Sequence, residues 1–230
     1  MSGPLFGLSF TLLFYLGAKK LQERFKSGLL NPLLVSSIAL ILFLSLTKIP
    51  YETYNEGGKF LTALIGPATV CLAIPLYKNM GLLKKHRFII AQAITVAILT
   101  HAAILLILVI ALELDRSVMI SLIPISITTA FAKDVALSLG GIPIITVCVV
   151  IVTGIVGATL SPLLNKAFKI KSDVAIGLAL GTSSHAVGTS KAIENNEIQG
   201  TFSSLGLILT GIFTVILAPF ILIVFRLFLS

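Results

Sequence analysis

The sequence predicts an all-α polytopic membrane protein. About seven to eight membrane segments are expected, arranged as two inverted three-segment repeats with broken helices and a re-entrant segment, in one integral membrane domain over residues 1–230. Three observations predict this: composition, the division of the chain into apolar segments, and two helix-breaking segments at matching positions. Hydrophobic residues make up 57% of the chain and charged residues 11%, with a mean hydropathy of +1.07. A soluble domain carries about 25% charged residues, so this chain cannot coat a water-facing surface. That excludes a soluble globular enzyme and a disordered chain. The apolar runs are continuous, whereas a membrane β-barrel would alternate over strands of about ten residues. The net charge of +8 sits in short clusters between apolar runs. Such clusters orient a membrane protein and do not make a nucleic-acid surface.

Eight apolar segments are expected, near 3–18, 31–46, 60–77, 88–112, 117–132, 143–164, 174–190 and 202–225. The first has no basic residue before it and no small-residue cleavage site after it, so it reads as a retained span. Lys19, Lys20, Arg24 and Lys26 follow it and place that loop inside. The second segment leads to a mixed loop at 48–59, with Glu52 and Glu56, which is expected outside. The third contains Gly66, Pro67 and Pro75, which interrupt a helical ladder, with Thr69 as the nearest hydroxyl and Asn79 at its far end. Lys78, Lys84, Lys85 and Arg87 then mark an inside loop that also holds His86.

The fourth segment carries His101 mid-span with Gln92 and Thr100. An intramembrane histidine is either part of a functional site or packed neutral between helices. Glu113, Asp115 and Arg116 are expected outside, and Lys166, Lys169 and Lys171 inside. Single passes of segments five and six cannot join those two sides. A re-entrant hairpin at Pro124 and the polar stretch Ser126, Ile127, Thr128, Thr129 restores the count, and an extra crossing is the other solution. Lys133 and Asp134 follow, free to pair or to mark an exit into water. Cys71 and Cys148 lie in apolar runs and read as small buried hydrophobes.

The seventh segment is the most polar. Gly181, Thr182, Ser183, Ser184, His185, Gly188 and Thr189 run together, ending at Ser190. A break here exposes backbone N–H groups at a half-helix N-terminus, which favours an anion. Hydroxyls would hold a small carboxylate, and His185 could donate to it or carry a coupled proton. The competing reading is that the hydroxyls bond back to carbonyls and glue helices together. Lys191, Glu194 and Glu197 make a mixed loop, expected outside, and Arg226 ends inside. Corresponding segments of the units 31–112 and 143–226 lie about 114 residues apart. Inverted units with matched breaks point to a secondary transporter. No Gly-x-Ser-x-Gly elbow, phosphate loop or metal cluster is present, so no enzyme, cofactor or metal site is expected.

The stretches 66–78 and 179–192 resemble the LrgB/CidB family, as do Gly140, Gly141, Ile142 and Pro143, the Ser161-Pro162 pair and Phe202, Ser203, Ser204, Leu205. The resemblance covers essentially the whole chain. It implies a multi-pass protein of the bacterial plasma membrane that works with a small LrgA/CidA-like membrane protein, and a homo-oligomer is expected. It also implies one of two roles. One is transport of small monocarboxylates of the pyruvate, lactate or glycolate type. The other is an antiholin-like interaction that modulates holin pores, murein hydrolases and lysis. The expected substrate-binding residues are Gly66, Pro67, Thr69, Ser126, Thr128, Thr129, Gly181, Thr182, Ser183, Ser184, His185, Gly188 and Thr189. Ile125 stands where the family commonly has lysine, Ala130 where it has proline and Lys191 where arginine is frequent. A cation that would help hold an anion is therefore missing at 125.

Overall fold

The computed structural model describes residues 3–25, 30–71 and 73–228. Every element among them is helical. By internal contacts the chain forms two units, Met1–Val70 and Cys71–Ser230.

The first unit holds α1 (Pro4–Phe25), α2 (Pro32–Thr47), α3 (Tyr51–Ala63) and the start of α4 (Ile65–Cys71). Asn31 caps α2 by accepting from the Leu33 amide at 2.9 Å, and Pro32 fixes the first helical position. α1 and α3 touch backbone to backbone: a Cβ on Gly7 would strike the Tyr54 carbonyl, and one on Gly57 the Pro4 carbonyl. Phe10 stacks on Phe43 of α2 with centroids 5.0 Å apart, and the Thr11 hydroxyl lies 2.9 Å from that of Tyr54. The expected outside loop at 48–59 is mostly the helix α3, because only Lys48, Ile49 and Pro50 lie outside helix there. The third apolar segment is broken as its composition suggests. The helix stops at Ala63 and restarts at Ile65 with Pro67 in its first turn.

The second unit holds α5 (Ala73–Lys78), α6 (Met80–Lys85), α7 (Arg87–Ala111), α8 (Arg116–Leu122), a 3₁₀ turn (Ile123–Ser126), α9 (Thr129–Leu139), α10 (Pro143–Ala167), α11 (Asp173–Asn195) and α12 (Glu197–Phe228). Among the described residues α7, α10 and α12 are long and apolar enough to cross a membrane. Less than half of each of these spans is buried inside the protein, so the outward faces are left for lipid. Cys148 on α10 lies on that surface, and Cys71 at the end of α4 is exposed too, which corrects their expected burial. An apolar side chain meeting lipid needs no protein cover.

Two segments enter this unit and turn back. α8 and the 3₁₀ turn lead inward, Pro124 leaves the helical region, and Ile127 and Thr128 are extended. α9 then returns, and Gly140 closes it at φ 86. The return is fixed at its base: the Ile142 amide donates to Ser121 Oγ at 2.6 Å, and Thr146 Oγ1 to the Ser121 carbonyl at 2.7 Å. This is the hairpin expected at Pro124 and 126–129, extended to Leu139.

α11 also doubles back. Its 23 residues, as one straight helix, would hold its ends about 33 Å apart. Instead Asn196 Nδ2 donates to Asp173 Oδ1 at 3.0 Å. The reversal is at His185, with φ 52 and ψ −133. The single crossing expected at 174–190 is therefore replaced by two legs, 173–184 and 186–195. Residues 191–197 consequently lie at the same end of the unit as Lys166 and Lys171, and Arg226 lies at the other, reversing both expectations. Packing confirms the direction: Phe225 sits with Met119 and Ile120 beside the base of the first hairpin.

The base of the second hairpin is a polar clasp. Gln199 Nε2 also donates to Asp173 Oδ1, at 2.6 Å, and the Gln199 amide donates to Asn196 Oδ1 at 2.8 Å. The Gln199 and Asn196 amides hold the Asp173 carboxyl below its ordinary range. The stabilisation is complete above the ordinary value of about 3.9 and is lost as pH falls through the lower folded value. Acidification from neutral pH to below that value should therefore shrink the difference in thermal stability between the wild type and an Asp173→Ala variant. A difference that stays constant or grows would show that the clasp does not depend on the carboxylate.

Candidate functional site

The two hairpins approach from opposite ends of α10. That helix spans about 37 Å, and Ile142 and Thr146 mark the base of the first hairpin beside it. Farther along, a Cβ on Gly154 would lie 3.3 Å from the Ser184 carbonyl, and one on Gly157 would strike Ser184 Oγ. The second hairpin thus has its tip against the middle of α10. The first has its tip there too, where Ile127, Ala132 and Val150 form a buried cluster. α7 follows the same order. Ile90, Ile94 and Ile98 pack with Leu178, Phe202 and Leu205, and Leu105 and Val109 pack with Met119, Ile120 and Ile123.

Between the tips, α7 and α12 lies a cavity of about 360 Å³. Its polar lining comes from Thr100, His101, Ser126, Thr153, Thr182, Ser183 and Thr210. His101 Nε2 lies 3.1 Å from the Ile123 carbonyl. That carbonyl belongs to the 3₁₀ turn of the first hairpin, so His101 both lines the cavity and fastens the hairpin to α7. Ser126 Oγ lies 3.4 Å from Thr214 Oγ1 on α12.

The tip of the second hairpin is built by its hydroxyls and glycines. Thr182 donates to the Leu178 carbonyl at 2.9 Å and Ser183 to the Ala179 carbonyl at 2.7 Å, which satisfies the end of the first leg. Gly188 lets the second leg pass against the first, since a Cβ there would strike the Leu180 carbonyl. Gly181 does the same for α12, whose Ser203 carbonyl occupies the place of a Cβ. Thr189 Oγ1 lies 2.9 Å from Ser203 Oγ, both buried. Gly181, Gly188 and Thr189 therefore serve packing, while Thr182 and Ser183 both bond back and face the cavity. Buried Ser184 lies at the α10 contact with its hydroxyl 3.2 Å from that of Ser183.

His185 is buried, with the Ser126 backbone near its ring, but neither ring nitrogen completes a hydrogen bond. Among the described residues, the buried side-chain polar atoms without a partner are Thr128 Oγ1, both His185 nitrogens and Thr210 Oγ1. All belong to the two hairpin tips or to α12 beside them. Each such atom costs about 1–3 kcal/mol. Of these residues, Thr210 lines the cavity, and Thr128 and His185 each lie two residues from a lining residue, Ser126 and Ser183. Thr129 starts α9 beside Thr128.

The remaining expected residues lie elsewhere. Gly66 and Pro67 are exposed in α4, and Thr69 lies on the same helix, all within the first unit. Lys133 and Asp134 stand exposed on α9 and form no ion pair with each other, while Lys191 pairs with Glu194 at 3.2 Å. Sequence reasoning missed Thr153, Thr210 and Thr214. A hydroxyl recurring in an otherwise apolar span is the one signal they give.

The sequence profile of the LrgB-like family matches residues 11–224. The chain belongs to the LrgB-like family. A Bacillus subtilis relative, "Uncharacterized protein YwbG", is 42% identical over 94% of this chain and 96% of its own length. "Antiholin-like protein LrgB" of Bacillus mycoides is 37% identical, covering 94% of each chain. "Holin-like protein CidB" of Staphylococcus epidermidis is 35% identical, again over 94% of each. No solved structure matches the fold. Together with the three apolar spans, membership in this LrgB-like family makes the chain a membrane protein.

Proposed function

We propose that this LrgB-like protein is a secondary transporter of small monocarboxylates, of the pyruvate, lactate or glycolate type, in the bacterial plasma membrane. One observation carries the reading: two hairpins from opposite ends meet at a polar cavity beside buried polar atoms that lack partners. Non-helical backbone at membrane depth is tolerated where it lines such a cavity. The return legs start at Thr129 and Ala186, each three residues after a lining residue, Ser126 and Ser183, so two positive helix ends would favour an anion there. Ser126, Thr182, Ser183 and Thr210 supply hydroxyls, and His185, two residues beyond Ser183 at the tip, would supply a ring N–H, whereas the N–H of a neutral His101 is already given to the Ile123 carbonyl. No lysine or arginine lines the cavity, which suits a single carboxylate better than a polyanion. Its volume is at the small end of the range of about 300–1,000 Å³ for ligand pockets. Each hairpin would gate its own end, and a proton on His185 would offset the charge of the cargo. Gly66, Pro67 and Thr69 would form the corresponding break of the inverted first repeat.

By its charge, the end holding the second hairpin's base would face the cytoplasm. It carries Lys84, Lys85, Arg87, Lys166, Lys169, Lys171 and Lys191 against Asp173, Glu194 and Glu197. The opposite end has Glu113 and Asp115 with Arg116 and Arg226, a balanced set.

The test is uptake of labelled pyruvate, lactate and glycolate into proteoliposomes, with and without a small LrgA-like partner. Saturable uptake is expected. Thr210→Val removes a hydroxyl that has no partner and keeps the shape. It should reduce uptake about tenfold, which is the loss of a hydrogen bond of about 1.4 kcal/mol to the guest, and leave thermal stability unchanged or raised. Absence of uptake under several imposed ion gradients would overturn the carrier reading. The second reading rests on the names of the relatives, holin-like and antiholin-like. On that reading the chain binds a holin-like partner and tunes lysis. Thr210→Val would then leave its effect on lysis intact, and substitutions on an outward helix face would not.

A further inference from the structure

A second cavity, of about 490 Å³, lies between α7 and the first leg of the second hairpin. It begins at His86 and Ser172, beside Lys84, Lys85, Arg87 and Lys171. It runs past Ala93 and Ala175 and ends at Ala97 and Thr182. Those last two residues also line the polar cavity. The two spaces thus share a wall, and together they run from the lysine-rich end to the middle of the unit. We propose that this second cavity is the path by which the carboxylate moves between the lysine-rich face and the polar cavity, with Ala97 and Thr182 as its inner doorway. The proposal rests on the carrier reading.

Several features fit a path better than a binding site. His86 and Ser172 at the mouth and Thr182 at the inner end are the polar lining, so a carboxylate would cross the apolar stretch between them with its hydration water. Alanines at 93, 97, 175 and 179 leave space that leucine at the same positions would fill. The cations flanking the mouth raise the local concentration of an anion. No residue of the first hairpin lines this space, so the path serves one face alone.

The experiment uses a background with Cys71→Ala and Cys148→Ala, both surface positions. Ala97→Cys and Ala175→Cys are introduced singly, with Leu99→Cys on the outward face of α7 as control. Vesicles of both orientations are treated with an anionic, membrane-impermeant methanethiosulfonate. Both alanine-site variants should react from the lysine-rich face only, and the Leu99→Cys control from neither face. Saturating pyruvate should slow reaction of the Ala97→Cys variant at least threefold, and its modification should cut pyruvate uptake at least tenfold. Reaction from the opposite face would overturn the path. So would reaction only with a membrane-soluble maleimide, which would make the space a lipid-facing groove. If the unlabelled proteins take up pyruvate while both cysteines stay unreactive, the path fails and the carrier stands. If they take up nothing, the carrier reading fails, and the path with it.

Discussion

Replacing His185 by glycine is expected to give a protein that is more thermostable than the His185→Ala variant and transports nothing. His185 has φ 52 and ψ −133 at the tip of the second hairpin. A side chain with a Cβ pays about 1–3 kcal/mol for such a conformation, and glycine pays none of it. Alanine keeps the Cβ and hence the strain, so the two variants differ by the backbone alone. Glycine should gain about 1–2 kcal/mol over alanine, less about 0.5–1 kcal/mol for its freer unfolded chain. Differential scanning in detergent should place the glycine variant several degrees higher. Both variants lose the ring and its two nitrogens, so pyruvate uptake should fall at least a hundredfold in each. A residue that costs stability in the resting protein and leaves two buried nitrogens unpaired is hard to explain by packing. On the carrier reading, it is a group kept for a ligand. Full uptake in the His185→Gly variant would remove His185 from the mechanism, and equal stability of the two variants would remove the strain.

The first hairpin was legible because two independent signals agreed. Pro124 and the hydroxyls at 126–129 weaken an apolar run, and the flanking charges could not be joined by single crossings. The second hairpin gave the same polarity and glycine signals at Gly181 and Gly188, but its reversal stayed hidden. The turn sits on a histidine in a backbone region where a sequence reader looks for glycine. The charges after it also misled: Lys191 and Glu194 neutralise each other in an ion pair, so that loop lost its sidedness. The clasp of Asp173 with Asn196 and Gln199 joins residues more than twenty positions apart, and no local pattern announces it. The hydroxyl cluster was read as either a site or helix glue, and its members differ in what they touch. Thr182 and Ser183 face the cavity, while Thr189 bonds across to Ser203. Thr210 was invisible because threonines in apolar helices commonly bond back to their own carbonyls. Only the folded chain shows that this one does not.

Gly181→Val should abolish the folded protein while leaving the chemistry of every cavity-lining side chain intact. Even the first added carbon would strike the Ser203 carbonyl, with the Ser203 carbonyl carbon 2.8 Å and its Cα 2.9 Å away. These are backbone atoms of a long apolar helix and cannot rotate aside. The first leg and α12 must separate, which also pulls on Gly177, where the Gln199 backbone is the neighbour. Overpacking a core costs about 1–3 kcal/mol when side chains can yield. Here none can, so the expected loss is at least about 3 kcal/mol, seen as little monodisperse protein and no cooperative melt. Gly17→Ala is the matched control. It lies inside α1 with nothing near its Cβ, and should gain about 0.5–1 kcal/mol from helix propensity alone. A tolerated Gly181→Val would mean that the first leg does not lie against α12. The second hairpin would then lose its support along α12, and the polar cavity its wall at Thr182 and Thr210. Packing at a glycine with no chemistry of its own thus bears directly on the walls of the polar cavity.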